Sequence, residues 1–183
     1  GDGRIYFSLG DVSGKGMDAA LLMSKTASLF RCLGKTIDEP ATLLATINRE
    51  LCETAIHGMF VTMVCGILDP ASGDIKLANA GHEPPLIHAA DGHFSAIPAS
   101  APPLGILPLG VVDNDIRNEV FNLAGGTLYV FTDGVTEGDI GGGLRLEVGS
   151  FRKIITAGAN APLAERIDAV ISSLKGAGRK QHD

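Results

Sequence analysis

The sequence predicts an α+β fold, a pair of mainly antiparallel sheets flanked by helices. Three observations carry that prediction. Segments of strand character follow one another in runs, beside runs of helical segments, without the alternation of a doubly wound α/β protein. Glycine supplies 24 of the 183 residues, roughly twice its average share. It gathers at segment ends, which means many tight turns rather than a helix bundle. Hydrophobic residues make up 45% and charged residues 20%, the balance of a globular domain whose core needs no disulfide or structural metal.

The elements follow in order. Arg4 to Leu9 is short and β-rich and follows an Asp2-Gly3 turn signal, so it predicts a strand, broken by Gly10 to Gly16. Met17 to Leu33 carries Leu21, Leu22, Met23, Leu29, Phe30 and Leu33, is too long for a strand, and ends at Gly34: a largely buried helix. A second helix starts near Asp38, its expected cap, with Pro40 in the first turn. Leu43, Leu44, Ile47 and Leu51 form its apolar stripe.

Met59 to Leu68 is an apolar run, 69–73 a turn, and Asp74 to Asn79 a returning strand, which makes a hairpin. Leu86 to Ala89 and His93 to Ile97 predict another. Pro98 to Pro108 is a proline-rich loop. Ile116 to Leu123 alternates, and Thr127 to Thr132 is an apolar strand ending at Asp133-Gly134. Asp139 to Gly143 is a glycine-rich loop. Val148 to Ala157 and Pro162 to Leu174 predict two closing helices, the last with Leu163, Ile167, Val170, Ile171 and Leu174 on one face.

Composition excludes several functions. Fifteen basic against 21 acidic residues leave a net charge of −6, and there is no Trp, so no nucleic-acid surface is expected. No apolar run reaches the roughly 18 residues a membrane span needs. The start, Gly1-Asp2-Gly3-Arg4, has neither a charged nor an apolar leader segment. Without an initiator Met it predicts a piece of a longer protein. Cys32, Cys52 and Cys65 show no C-x-x-C spacing, which predicts a reducing, cytoplasmic setting with all three thiols in the core.

The turn Gly10-Asp11-Val12-Ser13-Gly14-Lys15-Gly16 invites two nucleotide-binding readings, and both fail. A phosphate-binding loop needs four residues between its glycines and a hydroxyl after the lysine. Here three residues separate Gly10 from Gly14, and Gly16 follows Lys15. Gly14-x-Gly16-x-x-Ala19 fits a dinucleotide fingerprint in letters, but a second helix follows where a parallel strand is required.

Asp11 and Asp133 each end an apolar strand. An unpaired carboxylate there is costly if buried, and two such groups brought together repel unless a cation lies between them. Hard oxygen donors suit Mg²⁺ or Mn²⁺ rather than zinc. The plainer alternative is that both aspartates only make turns, Asp133-Gly134 as a hairpin turn.

The segments themselves point further. Leu9-Gly-Asp-Val-Ser-Gly-Lys-Gly-Met-Asp-Ala-Ala-Leu-Leu-Met23, Met59-Phe-Val-Thr-Met63, Asn79-Ala-Gly-His-Glu-Pro-Pro-Leu86 and Thr132-Asp-Gly-Val-Thr-Glu137 resemble, in order and spacing, four motifs of the SpoIIE/RsbU-type branch of the PPM metal-dependent serine/threonine phosphatases. The resemblance spans nearly the whole chain. It implies an α-β-β-α sandwich read as one domain over residues 1–183, trimmed at both ends. It also implies a two-metal site holding Mn²⁺ or Mg²⁺, with Asp11 bridging both ions, the Val12 carbonyl on one and Asp133 on the second. Asp183 sits where the family's last metal-binding aspartate falls. Gly14 and Gly16 would bring the turn close to the site. The first two helices would be regulatory elements moved by a partner or an upstream sensor domain.

The implied reaction is hydrolysis of phosphoserine or phosphothreonine in a protein, commonly an anti-sigma-factor antagonist in a partner-switching pathway. The residues agree: no nucleophile–base pair stands out, and metal-activated water needs none. A different class, a catalytically inactive binding module on the same fold, is the competing expectation; retention of Asp11 and Asp133 favours the enzyme. The parent protein is either free or membrane-tethered.

The remaining polar residues have plain readings. His82 is expected to fix a turn rather than serve as proton donor or substrate contact. His57, His88 and His93 are expected at the surface. Lys15 either steers a phosphoprotein or has no role, and Glu137 either supports the metal shell through water or is a solvated loop carboxylate. Leu21, Leu22 and Phe30 are expected in the core, although part of that helix could form a homodimer.

Overall fold

The structure, a computed structural model, describes residues 3–54, 58–108, 115–137 and 146–176. It divides into two compact units, Gly1–Val130 and Phe131–Asp183.

The first unit holds β1 (Ile5–Val12), α1 (Met17–Leu33), α2 (Pro40–Glu53), β2 (Val61–Leu68), β3 (Asp74–Ala80), β4 (Leu86–His88), β5 (Phe94–Ala96), β6 (Glu119–Asn122) and β7 (Thr127–Tyr129). A four-stranded sheet runs β1-β2-β3-β6 and a three-stranded sheet β5-β4-β7. Every strand pairing is antiparallel. The α+β expectation therefore holds, as do both predicted hairpins.

Alternation along β2 builds two cores from one strand. Val61, Met63 and Cys65 join Leu43, Leu44, Ile47 and Leu51 of α2 in the first core, with Leu22, Met23, Leu29, Phe30 and Leu33 of α1 packed against it. Val64 joins Ile75, Leu77 and Ile97 between the two sheets, lined by Phe7, Leu9, Ile87 and Leu128. The helical pair thus covers one face of the larger sheet and the small sheet covers the other. Gly66 is required by this packing: a Cβ there would lie 2.5 Å from the Phe7 ring.

Several elements differ from expectation. β1 does not break at Gly10 but continues to Val12, because β2 offers it eight registered partners, from Ile5↔Leu68 to Val12↔Val61. The cap of α2 is Glu39, not Asp38. Asp38 instead accepts from Arg4 at 3.2 Å and from the Tyr6 hydroxyl at 2.8 Å. A distant residue caps the helix: Asn118 Oδ1 accepts the Ala41 N–H at 2.9 Å. β7 ends at Tyr129, so Asp133 opens a helical turn instead of a hairpin.

Burial also corrects the sequence. Leu21 is 57% exposed, on the outer side of α1, while Leu22 and Phe30 pack inward. His88 is buried, stacked on Phe94 with ring centroids 4.3 Å apart, whereas His93 is exposed beside Asp91. His57 lies outside the described residues, as does the loop 139–143. Only Cys65 is a core thiol; Cys52 is half-buried and Cys32 exposed.

The second unit contains α3 (Asp133–Thr136), α4 (Glu147–Ala157) and α5 (Leu163–Gly176). Phe151 and Ile155 of α4 are buried, and Phe131 meets Phe151 edge-on at 4.8 Å. Arg166 ties the α4–α5 connection by donating to the carbonyls of Ala159 and Ala161. The expected apolar face of α5 stays exposed at Leu163, Ile167 and Ile171. Among the described residues no helix is long and apolar enough to cross a membrane.

Two outcomes follow. Leu44 is fully buried between α2 and the sheet, so Leu44→Ala should destabilise the fold by about 2–5 kcal/mol, read from denaturant midpoints. A thiol reagent at neutral pH should label Cys32 rapidly and Cys52 slowly. Cys65, whose thiol burial pushes up to about 12, should react only after unfolding.

Candidate functional site

β1 is an edge strand, and its C-terminal end carries Asp11 and Val12. The strand is closed by Ser13, whose N–H donates to Phe60 O at 2.9 Å while its Oγ accepts the Phe60 N–H at 2.8 Å. The chain then turns through Gly14 and Gly16, both at φ +88°, a region L-residues avoid, and enters α1 at Met17.

Antiparallel pairing decides where the backbone of Val12 points. Its partner Val61 spends both main-chain groups on Leu104, N–H to O at 3.0 Å and O from N–H at 2.7 Å. Val12 and Val61 are therefore a non-hydrogen-bonded pair, and the Val12 N–H and carbonyl face the open edge of the sheet. The N–H is taken by the Asp11 carboxylate, with Oδ1 at 2.8 Å. The carbonyl is left on the same edge as that carboxylate. Asp11 itself is exposed.

Opposite Asp11 stands Thr62, on the face of β2 that Val64 turns toward the second sheet. Thr62 Oγ1 lies 3.4 Å from the Asp11 carbonyl oxygen and 2.9 Å from His82 Nδ1. His82 is buried in the turn after β3. That turn is clamped by Asn79, whose Oδ1 accepts the His82 N–H at 2.9 Å and whose Nδ2 donates to the His82 carbonyl at 3.1 Å. Gly81 allows it, at φ +63° with Pro103 where a Cβ would sit. His82 thus sits in a fixed turn, but the side chain that fixes it is that of Asn79, while the His82 ring reaches Thr62 on β2.

In the second unit Asp133 is the exposed first residue of α3. Its main-chain carbonyl accepts from the Glu137 N–H at 2.6 Å and from the Thr136 hydroxyl at 3.3 Å. Glu137 is the exposed residue that ends this helix, and Lys15 is exposed in its turn. Asp183 lies outside the described residues.

In the first unit Asp11, with the Val12 carbonyl beside it, offers the oxygen donors that suit a hard divalent cation. Asp11, and separately Asp133 in the second unit, are exposed carboxylates, and among the described residues neither is in an ion pair. No three His, Cys, Asp or Glu among the described residues gather into a metal-holding group by themselves, so a complete shell also needs donors of another kind or from other residues. Asp11 and Val12 stand at an open strand end. A groove of about 610 Å³ lies elsewhere, along Thr42, Thr46, Arg49 and Cys52 of α2 and Pro108. Sequence reasoning missed Thr62. Its signal was there: a lone hydroxyl in the apolar run Met59 to Leu68.

The chain is similar to known proteins in sequence and in fold. Over 135 residues the chain is 33% identical to the phosphoserine phosphatase RsbU of Bacillus subtilis, covering 73% of this chain and 39% of RsbU. It is 25% identical over 170 residues to protein IcfG of Synechocystis, covering 75% of this chain and 25% of that protein. The chain thus spans about two fifths or less of these relatives. Among solved structures, the RsbU and RsbW domains of a Mycobacterium tuberculosis protein match with a TM-score of 0.74 and 26% identity, over 96% of this chain and 48% of that one. The SiaA-PP2C domain of Pseudomonas aeruginosa matches with a TM-score of 0.78 and 18% identity, over 98% and 75% of the two chains. The PP2C phosphatase domain of SpoIIE from Bacillus subtilis matches at 0.72 and 19%, over 96% and 53%. These last two likenesses speak for the fold. The family model for stage II sporulation protein E (SpoIIE) matches residues 1–183, and with the RsbU identity it makes this chain a member of the SpoIIE family, on a PP2C-type phosphatase fold.

Proposed function

We propose that residues 1–183 are a single catalytic domain that hydrolyses phosphoserine or phosphothreonine in a protein substrate, with Mn²⁺ or Mg²⁺ as cofactor. The observation that carries this is the end of β1. There the Asp11 carboxylate and the Val12 carbonyl share one open sheet edge, as oxygen donors without a competing cation. Membership of the family and the similarity to RsbU, a phosphoserine phosphatase, support the same reading. The match to RsbX in complex with magnesium, at 14% identity, is a likeness of fold only.

Two divalent cations at such a site supply a water nucleophilic at neutral pH and offset charge on the phosphoryl oxygens. The chain's part is to hold and orient. Asp11 and the Val12 carbonyl would hold the cations from the end of β1, and Asp133 and Asp183 would supply further carboxylates. The P–O bond to the serine or threonine oxygen breaks as water oxygen bonds to phosphorus, and the leaving oxygen takes up a proton. No side-chain nucleophile is required. Cys65 is buried with its thiol neutral.

The substrate we infer is an anti-sigma-factor antagonist. The joint occurrence of RsbU and RsbW domains in the Mycobacterium tuberculosis protein supports a partner-switching setting. The share of RsbU left unmatched, 61% given 39% coverage, leaves room for a sensor domain. The exposed Met17 and Leu21 on α1 suit contact with that domain or with a second copy of the chain. The setting we propose is cytoplasmic.

With Mn²⁺, the chain should release phosphate from a phosphoserine peptide, and chelator should stop it. Asp11→Asn and Asp133→Asn should each lower turnover by at least about 100-fold, beyond the usual cost of an outer-shell partner, at unchanged thermal midpoint. Mn²⁺ binding without turnover on any phosphoprotein would instead identify a regulatory module on this fold.

A further inference from the structure

We propose that Thr62 and His82 are positioning residues for Asp11, forming a relay from the clamped turn after β3 to the peptide that aims the Asp11 carboxylate. The proposal rests on the reading of Asp11 as a cation ligand.

The Asp11 carbonyl oxygen can only accept, so the Thr62 hydroxyl at 3.4 Å donates its single proton there. A lone pair on Thr62 Oγ1 then accepts from His82 Nδ1 at 2.9 Å, which requires the Nδ1-protonated form of the imidazole. The ring is held at that distance because Asn79 clamps both main-chain groups of His82.

The receiving carbonyl belongs to the peptide between Asp11 and Val12. That unit is planar and trans, so its carbonyl points toward β2 and its N–H points to the open edge. The same N–H holds Asp11 Oδ1 at 2.8 Å. Fixing the tilt of the carbonyl end therefore fixes the donor that orients the carboxylate. This is how partners outside a ligand shell set ligand geometry, and their loss typically costs about 10–100-fold in metal affinity.

The test is Mn²⁺ binding by calorimetry on the full chain. Thr62→Val keeps the shape and removes the hydroxyl. It should weaken Mn²⁺ binding about tenfold while the metal-free thermal midpoint stays within about 3 °C. Thr62→Ser should restore wild-type affinity. Wild-type affinity in Thr62→Val, beside a clear loss in Asp11→Asn, overturns the relay and leaves the cation reading standing. A loss that Thr62→Ser does not restore also overturns it. Unchanged affinity in Asp11→Asn overturns both. Should Thr62→Val not fold, ¹⁵N NMR of His82 in the unaltered protein decides: an Nδ1-protonated ring is expected, and a ring protonated at Nε2 alone overturns the relay.

Discussion

The register of β1 on β2 is the constraint on which the candidate site depends. Side chains alternate across a strand, so a slip of one residue exchanges the two faces. Asp11 would then turn toward the helical layer, and Val12 toward the second sheet. Three features forbid the slip. Phe7 and Leu9 belong to the core between the sheets and Val12 to the core under the helices. Gly66 receives the Phe7 ring. Gly10 lies so close to the Thr62 carbonyl that a Cβ would sit 2.9 Å from it. A small residue immediately before the aspartate is thus a packing requirement that also places Asp11.

Burial, rather than ion pairing, holds this register. The charged pairs Arg4–Asp38 and Lys76–Glu39 lie at partly exposed positions, where such pairs are worth about 0–1 kcal/mol. Their use is directional. Glu39 also accepts from Asn118 at 2.8 Å, and Asn118 caps α2, so strand, helix start and the approach to β6 meet at one point. At the other end of α2, Asn48 is buried and binds the Gly105 N–H at 2.8 Å and the Leu107 carbonyl at 3.0 Å. The proline-rich loop is thereby held beneath the helix, where Leu104 pairs with Val61. That pairing is what turns the Val12 carbonyl to the sheet edge.

The chemistry follows from the economy of the arrangement. Neutral hydrogen bonds and packing position the main chain, and the carboxylates are left exposed and unneutralised at the ends of elements. A carboxylate kept so remains available to a hard cation. Phosphoryl transfer to water asks for little more than held charge and a held nucleophile, which is why a site lacking a serine or cysteine nucleophile is chemically sufficient for the hydrolysis proposed.

Local pattern determined much of this protein. Periodicity and glycine punctuation placed α1, α2, α4, α5 and both hairpins, since hydrophobic spacing and turn chemistry are properties of neighbouring residues. The four motifs pointed to Asp11, Val12 and Asp133 for the same reason. Only the tertiary structure decided what depends on residues far apart in the chain. β1 extends through Gly10 because β2 pairs with it, and α2 is capped by Asn118, not by Asp38. His88 is buried by the small sheet, while Leu21 and Cys32 face outward on a helix whose apolar face had to be chosen. Thr62 gained its role in the same way: a hydroxyl in an apolar strand has no partner until pairing sets it between Asp11 and His82. Hydrogen bonds and burial across long loops are set by the packing of layers, and no local pattern carries them.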